Sequence, residues 1–172
     1  RVRLVHAGTG TRIDLDAIQI FGAPLPVPAG TYDDTDANWN YSGTWMTYSG
    51  GGPANNTLHY TDTVGDSAEL LFSGTKFTLT YTKQSNRGLI DVFVDNVKAT
   101  TLDASNPTLV WQQTYTSPSY TNGTHRVRLV HAGTGTRIDL DAIQIFGAPV
   151  PVSAGTYDDT DVNWNYSGSW TM

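Results

Sequence analysis

Three carboxylates crowd the stretch TYDDTD, at Asp33, Asp34 and Asp36, and two more, Asp139 and Asp141, alternate within RIDLDAIQIF. Hard oxygen ligands drawn from two chain segments suit calcium, which takes roughly six to eight of them. The same acids also suit solvated positions or turn hydrogen bonds, and residue type alone leaves both readings open. A second set has the chemistry of sugar recognition. Trp39, Tyr41, Trp111 and Tyr120 lie near expected turns or strand ends, with Asn86 and Arg87 in a loop. The apolar face of a sugar stacks on such rings while polar neighbours take its hydroxyls, although Trp and Tyr also bury well in sandwich cores. Trp45, which follows Ser42-Gly43 and alternates with Met46, is expected in the core. Catalytic signals are weaker. His59 and His125 fall in or beside expected strands, and no nucleophile elbow or metal-binding helix motif accompanies them. Gly8-Thr9-Gly10 and its copy at Gly133 to Gly135 join two strands instead of opening a helix, so they read as turns and not as a phosphate loop. The expectation is a chain that is not an enzyme.

The elements that must position these residues are strands. In KFTLTYT, Phe77, Leu79 and Tyr81 share one face and Thr78, Thr80 and Thr82 the other, the period of a half-buried strand. Comparable runs cover 57–61, 67–73, 88–94, 98–102, 109–116, 125–131 and 137–146, and NWNY and TWMTY read as strands around Ser42-Gly43. Turn signals separate them, among them Asp95-Asn96 as a tight hairpin. Within 137–146 the phase slips, because Ile138 and Leu140 have one parity and Ile143 and Ile145 the other. A bulge near Asp141-Ala142, or a strand covered on both sides, would keep all four out of water. Many short strands with no intervening helix predict an all-β antiparallel sandwich.

The chain also repeats itself. Residues 1–47 and 126–172 differ at six positions only, and the first 24 residues return without a mismatch. Internal repetition governs the domain reading, and the period of 125 residues is that of a tandem array. Proline spacing in GAPLPVPAG and GAPVPVSAG reads as an extended connector without hydrogen-bonding obligations. The expected organisation is residues 1–22 as the last two strands of a preceding repeat, 23–30 as a linker, 31–146 as a complete sandwich, 147–155 as a linker and 156–172 as the first strands of a following repeat.

Composition narrows the partners. Ten Lys and Arg against 16 Asp and Glu, a net charge of −6 with no basic cluster, argue against nucleic acid. No apolar run reaches the roughly 18 residues of a membrane span. Cysteine is absent, which excludes a disulfide framework and thiolate metal sites. Glycosylation triplets at Asn40, Asn55 and Asn122 and the Thr/Asn-rich composition fit an extracellular or cell-surface setting.

The order YDDTD, YSGTW, LHYT, AELLFSGTKFTLTYTK, GLIDVFVDN, GTHRVRLV and IDLDAIQIF resembles the galactose-binding-like jelly roll modules of large secreted bacterial proteins, a family that includes carbohydrate-binding modules. The resemblance covers 31–146 and departs from the family in carrying Asp95-Asn96 where Asp-Gly is usual. It implies a jelly roll, and related modules often hold a structural calcium. Two functions are carried forward. One is a structural or adhesive bead of a surface stalk or filament, meeting neighbouring repeats or identical chains; near-identical copies favour it. The other is a carbohydrate-binding module repeated for avidity toward glycans.

Overall fold

The protein is represented by a computed structural model, in which residues 24–133 and 136–148 are described. The expected strands in 1–22 and 156–172, and the second connector from 149 onward, lie outside the described residues.

Among the described residues, twelve strands form three antiparallel sheets. The four-stranded sheet has the order β1 (Gly30–Asp33), β12 (Ala142–Phe146), β6 (Lys76–Lys83), β9 (Val110–Thr116). The five-stranded sheet runs β2 (Asn40–Ser42), β5 (Ser67–Gly74), β10 (Gly123–His131), β7 (Leu89–Val94), β8 (Val97–Asp103). A smaller sheet joins β11 (Ile138–Leu140), β4 (Thr57–Thr61) and β3 (Met46–Ser49). A single 3-10 turn, Ala54–Asn56, is the only helical element among the described residues.

Alternation explains the core. Phe77, Leu79 and Tyr81 of β6 are buried and face Leu70 and Phe72 of β5, Val92 of β7, and Val127 and Leu129 of β10 in one cluster. Phe72 meets Phe77 edge-on, with ring centroids 5.8 Å apart. Burying side chains of this size contributes about 1.5–3 kcal/mol each. The β7–β8 hairpin turns at Asp95 and Asn96, both with positive φ (50° and 68°), the conformation a two-residue hairpin requires and one that Asp and Asn tolerate. The fold is the antiparallel sandwich expected from the strand pattern.

Two details differ from expectation. The phase slip in 137–146 is a change of partner. β11 pairs with β4, the strand breaks at Asp141, and β12 then pairs with β6 and β1. Ile138, Leu140, Ile143 and Ile145 are all buried, because each half-strand obeys its own sheet. The Pro-rich segment before β1 is also less free than its composition implied. Val27 is buried in the core, donates its N–H to Leu71 O at 2.9 Å and accepts from Ser73 N–H at 2.8 Å. An apolar residue between two prolines can therefore bond to a sheet edge even though its neighbours lack N–H groups.

Candidate functional site

The acids at the start of the domain are held by protein donors. β1 ends beside the break between β11 and β12, so Asp34 N–H donates to Asp141 O at 2.9 Å. Asp34 is fully buried; its carboxylate pairs with His59 Nδ1 at 2.6 Å and accepts from Thr57 Oγ1 at 2.8 Å. Burial raises its pKa against these partners. Asp33 accepts from Thr35, Asn55 and Thr57, and Asp36 from the backbone and side chain of Asn38. Asp139 forms a buried ion pair with Arg87 and also accepts the Thr82 N–H at 2.7 Å; burial pushes its pKa up. Asp141 accepts only the Ala54 N–H, at 2.9 Å, leaving Oδ2 buried and without a partner. Burial, then neighbouring acids, lifts its pKa to about 7.

These five acids do not make a calcium shell together. Asp139 is committed to Arg87 and Asp36 to its own turn. Among the described residues, no three His, Asp or Glu side chains are placed to hold a metal ion.

The expected sugar-binding residues also disperse. Trp39 is a core residue whose Nε1 donates to Asp33 O at 3.1 Å. Tyr41 is half-buried, stacks on His59 at 4.6 Å and donates its hydroxyl to Asp34 O. Trp45, expected in the core, lies against Tyr41 and is only partly buried, packed on the outside of the core cluster. Arg87 is interior, with Asn86 as an exposed neighbour accepting from Nη1 at 2.8 Å. Tyr120 is at the far end of β6, its N–H on Thr75 O and its ring 5.4 Å from His125, which pairs with Asp95. Trp39 and Arg87 are removed from any ligand surface by burial, the first serving the core and the second neutralising Asp139.

Trp111 is different. Tyr81 opposes Gln113 and Lys83 opposes Val110, so both Trp111 and Gln112 oppose the single residue Thr82. That bulge, with Gln112 at φ 51°, turns Trp111 to the outer face of the four-stranded sheet. There it stacks on Tyr48 of β3, with centroids 5.7 Å apart and planes at 24°. The loop 50–54 supports the pair. Gln112 Nε2 donates to Gly52 O at 2.9 Å, and Gly52, at φ 120°, lies so close to the indole that no side chain fits there. Tyr48 was not among the expected binding residues. Its signal was an aromatic standing directly before the run SGGG.

One hydroxyl–imidazole–carboxylate line exists, from Thr47 Oγ1 to His59 Nε2 at 3.2 Å and from His59 to Asp34. Thr47 is the cross-strand partner of His59, so the register of β3 on β4 accounts for the contact.

No protein-family model matches the chain. Among curated proteins, the A type blood N-acetyl-alpha-D-galactosamine deacetylase of Flavonifractor plautii is 31% identical over 127 residues, covering 72% of this chain and 16% of that protein. A family 35 carbohydrate binding module from an environmental isolate has a TM-score of 0.55 at 17% identity, covering 69% of this chain and 93% of the module. A family two carbohydrate esterase from Cellvibrio japonicus gives a TM-score of 0.54 at 20% identity, covering 70% of this chain and 34% of that one. A Paenibacillus xanthan lyase gives 0.58 at 18%, covering 74% and 14%. The sandwich thus has the galactose-binding-like fold of carbohydrate-binding modules. The expectation of a chain that is not an enzyme is corrected by the same likenesses, which are to a deacetylase, an esterase and a lyase. Motifs sought within one repeat reported on one module, whereas the chain spans a small part of the curated relative.

Proposed function

We propose that the chain is a carbohydrate-recognition module of a larger extracellular carbohydrate-active enzyme, with Tyr48 and Trp111 as its sugar platform. The stacked pair carries the reading. Two rings from different sheets are kept at the surface by a bulge and a glycine loop, where a core aromatic would have turned inward. A sugar's C–H face gains on such rings what water gives up, and the Gln112 amide and loop carbonyls stand beside it for hydroxyls. The fold and the sugar-directed names of the similar proteins support the same reading. Repetition then multiplies a weak site by linkage.

The test is titration calorimetry against neutral and N-acetylated oligosaccharides. Trp111→Ala and Tyr48→Ala should each weaken binding about tenfold, as expected for losing a stacking contact of ~1.4 kcal/mol. Unchanged affinity in both variants would sink the proposal. A second reading, the structural bead, rests on the near-verbatim repeat of 47 residues. In it, units of about 125 residues meet through identical junctions. Fibres of regular repeat in electron micrographs, formed by a protein that binds no sugar, would favour it over the first.

A further inference from the structure

The platform stands at one corner of a larger surface. On the four-stranded sheet, outward residues follow from the register. Thr31, Gln144, Thr78 and Thr116 form one row across all four strands, and Thr80 and Thr114 continue the next row toward Trp111. Thr31, Gln144, Thr114 and Thr116 are exposed and Thr78 and Thr80 half-exposed. The bulge places Trp111 on this same side, so the aromatic pair and the hydroxyl rows are one continuous face.

The face is nearly free of charge. Its two ionised residues lie at its margins: Asp33, already accepting three protein hydrogen bonds, and Lys76, over the Phe146 ring at 4.7 Å. The outer face of the five-stranded sheet is the opposite, with Glu69 paired to Arg126, Asp91 to Lys98, and Arg128 over Phe93. Loop 50–54 is tied to Gln112 and Asp141 on one side of Trp111, leaving the direction of Thr114 and Thr116 open. Thr78 and Thr116 share a hydrogen bond of 2.9 Å, which leaves the pair one donor hydrogen and free lone pairs.

Resting on the reading of Tyr48 and Trp111 as a sugar platform, we infer that the ligand is an uncharged polysaccharide chain and not a lone terminal sugar. It lies along β6 and β9, from the platform across Thr114 to Thr116, Thr78 and Gln144. The path from Trp111 to Thr116 is about 16 Å at ~3.3 Å per residue, room for several rings. Hydroxyls and an amide match a neutral chain, since they hydrogen-bond its hydroxyls without asking a counter-charge to desolvate.

The probes are neutral gluco-, xylo- and galacto-oligosaccharides, each from disaccharide to hexasaccharide. Affinity should rise with length. Thr78→Val/Thr116→Val, which keeps strand shape and propensity, should lose about tenfold on the hexasaccharide and nothing on the disaccharide. The exposed Gln144→Ala should show the same length-dependent loss, about fivefold, and serves if the double variant does not fold. Trp111→Ala should weaken both lengths. Affinity flat with length, or a Gln144→Ala variant indistinguishable from the native protein at all lengths, overturns the extended face while the platform stands. Native affinity in Trp111→Ala overturns the platform itself, and with it the path that starts there.

Discussion

Asp141 gives the fold a pH response at the scale of a single residue. In the unfolded chain its carboxyl ionises near 3.8, in the fold near 7. Between those values the folded state keeps a proton that the unfolded state has lost, so this group makes stability fall as pH rises through that window. Above it both states are ionised and the loss is constant. Asp141→Asn retains an acceptor for the Ala54 N–H and removes the charge. In the presence of a chelator it should raise stability at pH 8 by on the order of 1–2 kcal/mol, with the gain vanishing near pH 3. A thermal melt series across pH checks it; a variant less stable at pH 8 would contradict the burial argument. Arg87 has the reverse role. Arg87→Ala would strand Asp139 in the interior and should cost about 3–5 kcal/mol, whereas Arg87→Met with Asp139→Leu should recover most of it. Urea denaturation of both variants gives the comparison.

Among the elements, β9 is the one whose local irregularity creates a surface. Paired regularly at its full length, β9 would send Trp111 toward the core side and Val110 outward. Deleting Gln112 should therefore restore a regular pairing with β6 that keeps Trp111 opposite Thr82 on the outer face, so that sugar binding survives the loss of the Gln112–Gly52 hydrogen bond while far-UV circular dichroism stays unchanged. Binding abolished in a variant with a regular β9 would mean that strand parity does not aim the ring. The β11–β12 break works at the same scale. By changing sheets at Asp141, one chain segment seals both the small sheet and the four-stranded sheet, and brings the end of β1 against loop 50–54.

At the scale of the whole molecule the repeat has a direct consequence. Residues 1–22 repeat residues 126–147 without a mismatch, which is all of β10 but its first three residues together with β11 and β12, and the end of β12 lies beside the start of β1. The place of β10 to β12 should thus accept either copy. Replacing the buried Leu129 by Asp puts a charge in the core, a change of more than ~4 kcal/mol. It should unfold a chain that begins at residue 24, yet leave a folded fraction in the full chain, and adding Leu4→Asp should remove that fraction. Equal unfolding of the Leu129→Asp protein with and without residues 1–23 would reject the exchange. Such exchange is an intrinsic hazard of adjacent identical domains.

The alternation of Phe77, Leu79 and Tyr81 against Thr78, Thr80 and Thr82 already specified a half-buried strand, because side-chain parity is a local property of extended chain. The Asp95-Asn96 hairpin was legible for the same reason, positive φ being a property of the residues themselves. The phase slip at Asp141 was visible, but its cause was not: a bulge and a change of sheet leave the same parity pattern, and only the partners of β11 and β12 distinguish them. For Asp34, Asp139 and Asp141 residue type left metal ligation and hydrogen-bonded positions equally open, and only the fold brought His59, Arg87 and the Ala54 N–H, each remote in sequence, to them. Trp111 could be named as a candidate from its type, yet its outward turn depends on a register against β6, and its pairing with Tyr48 joins residues 63 apart that only packed sheets bring into contact. Sequence determined which faces could be wet or dry; tertiary pairing decided which wet residues face one another, since that choice is made by partners far along the chain.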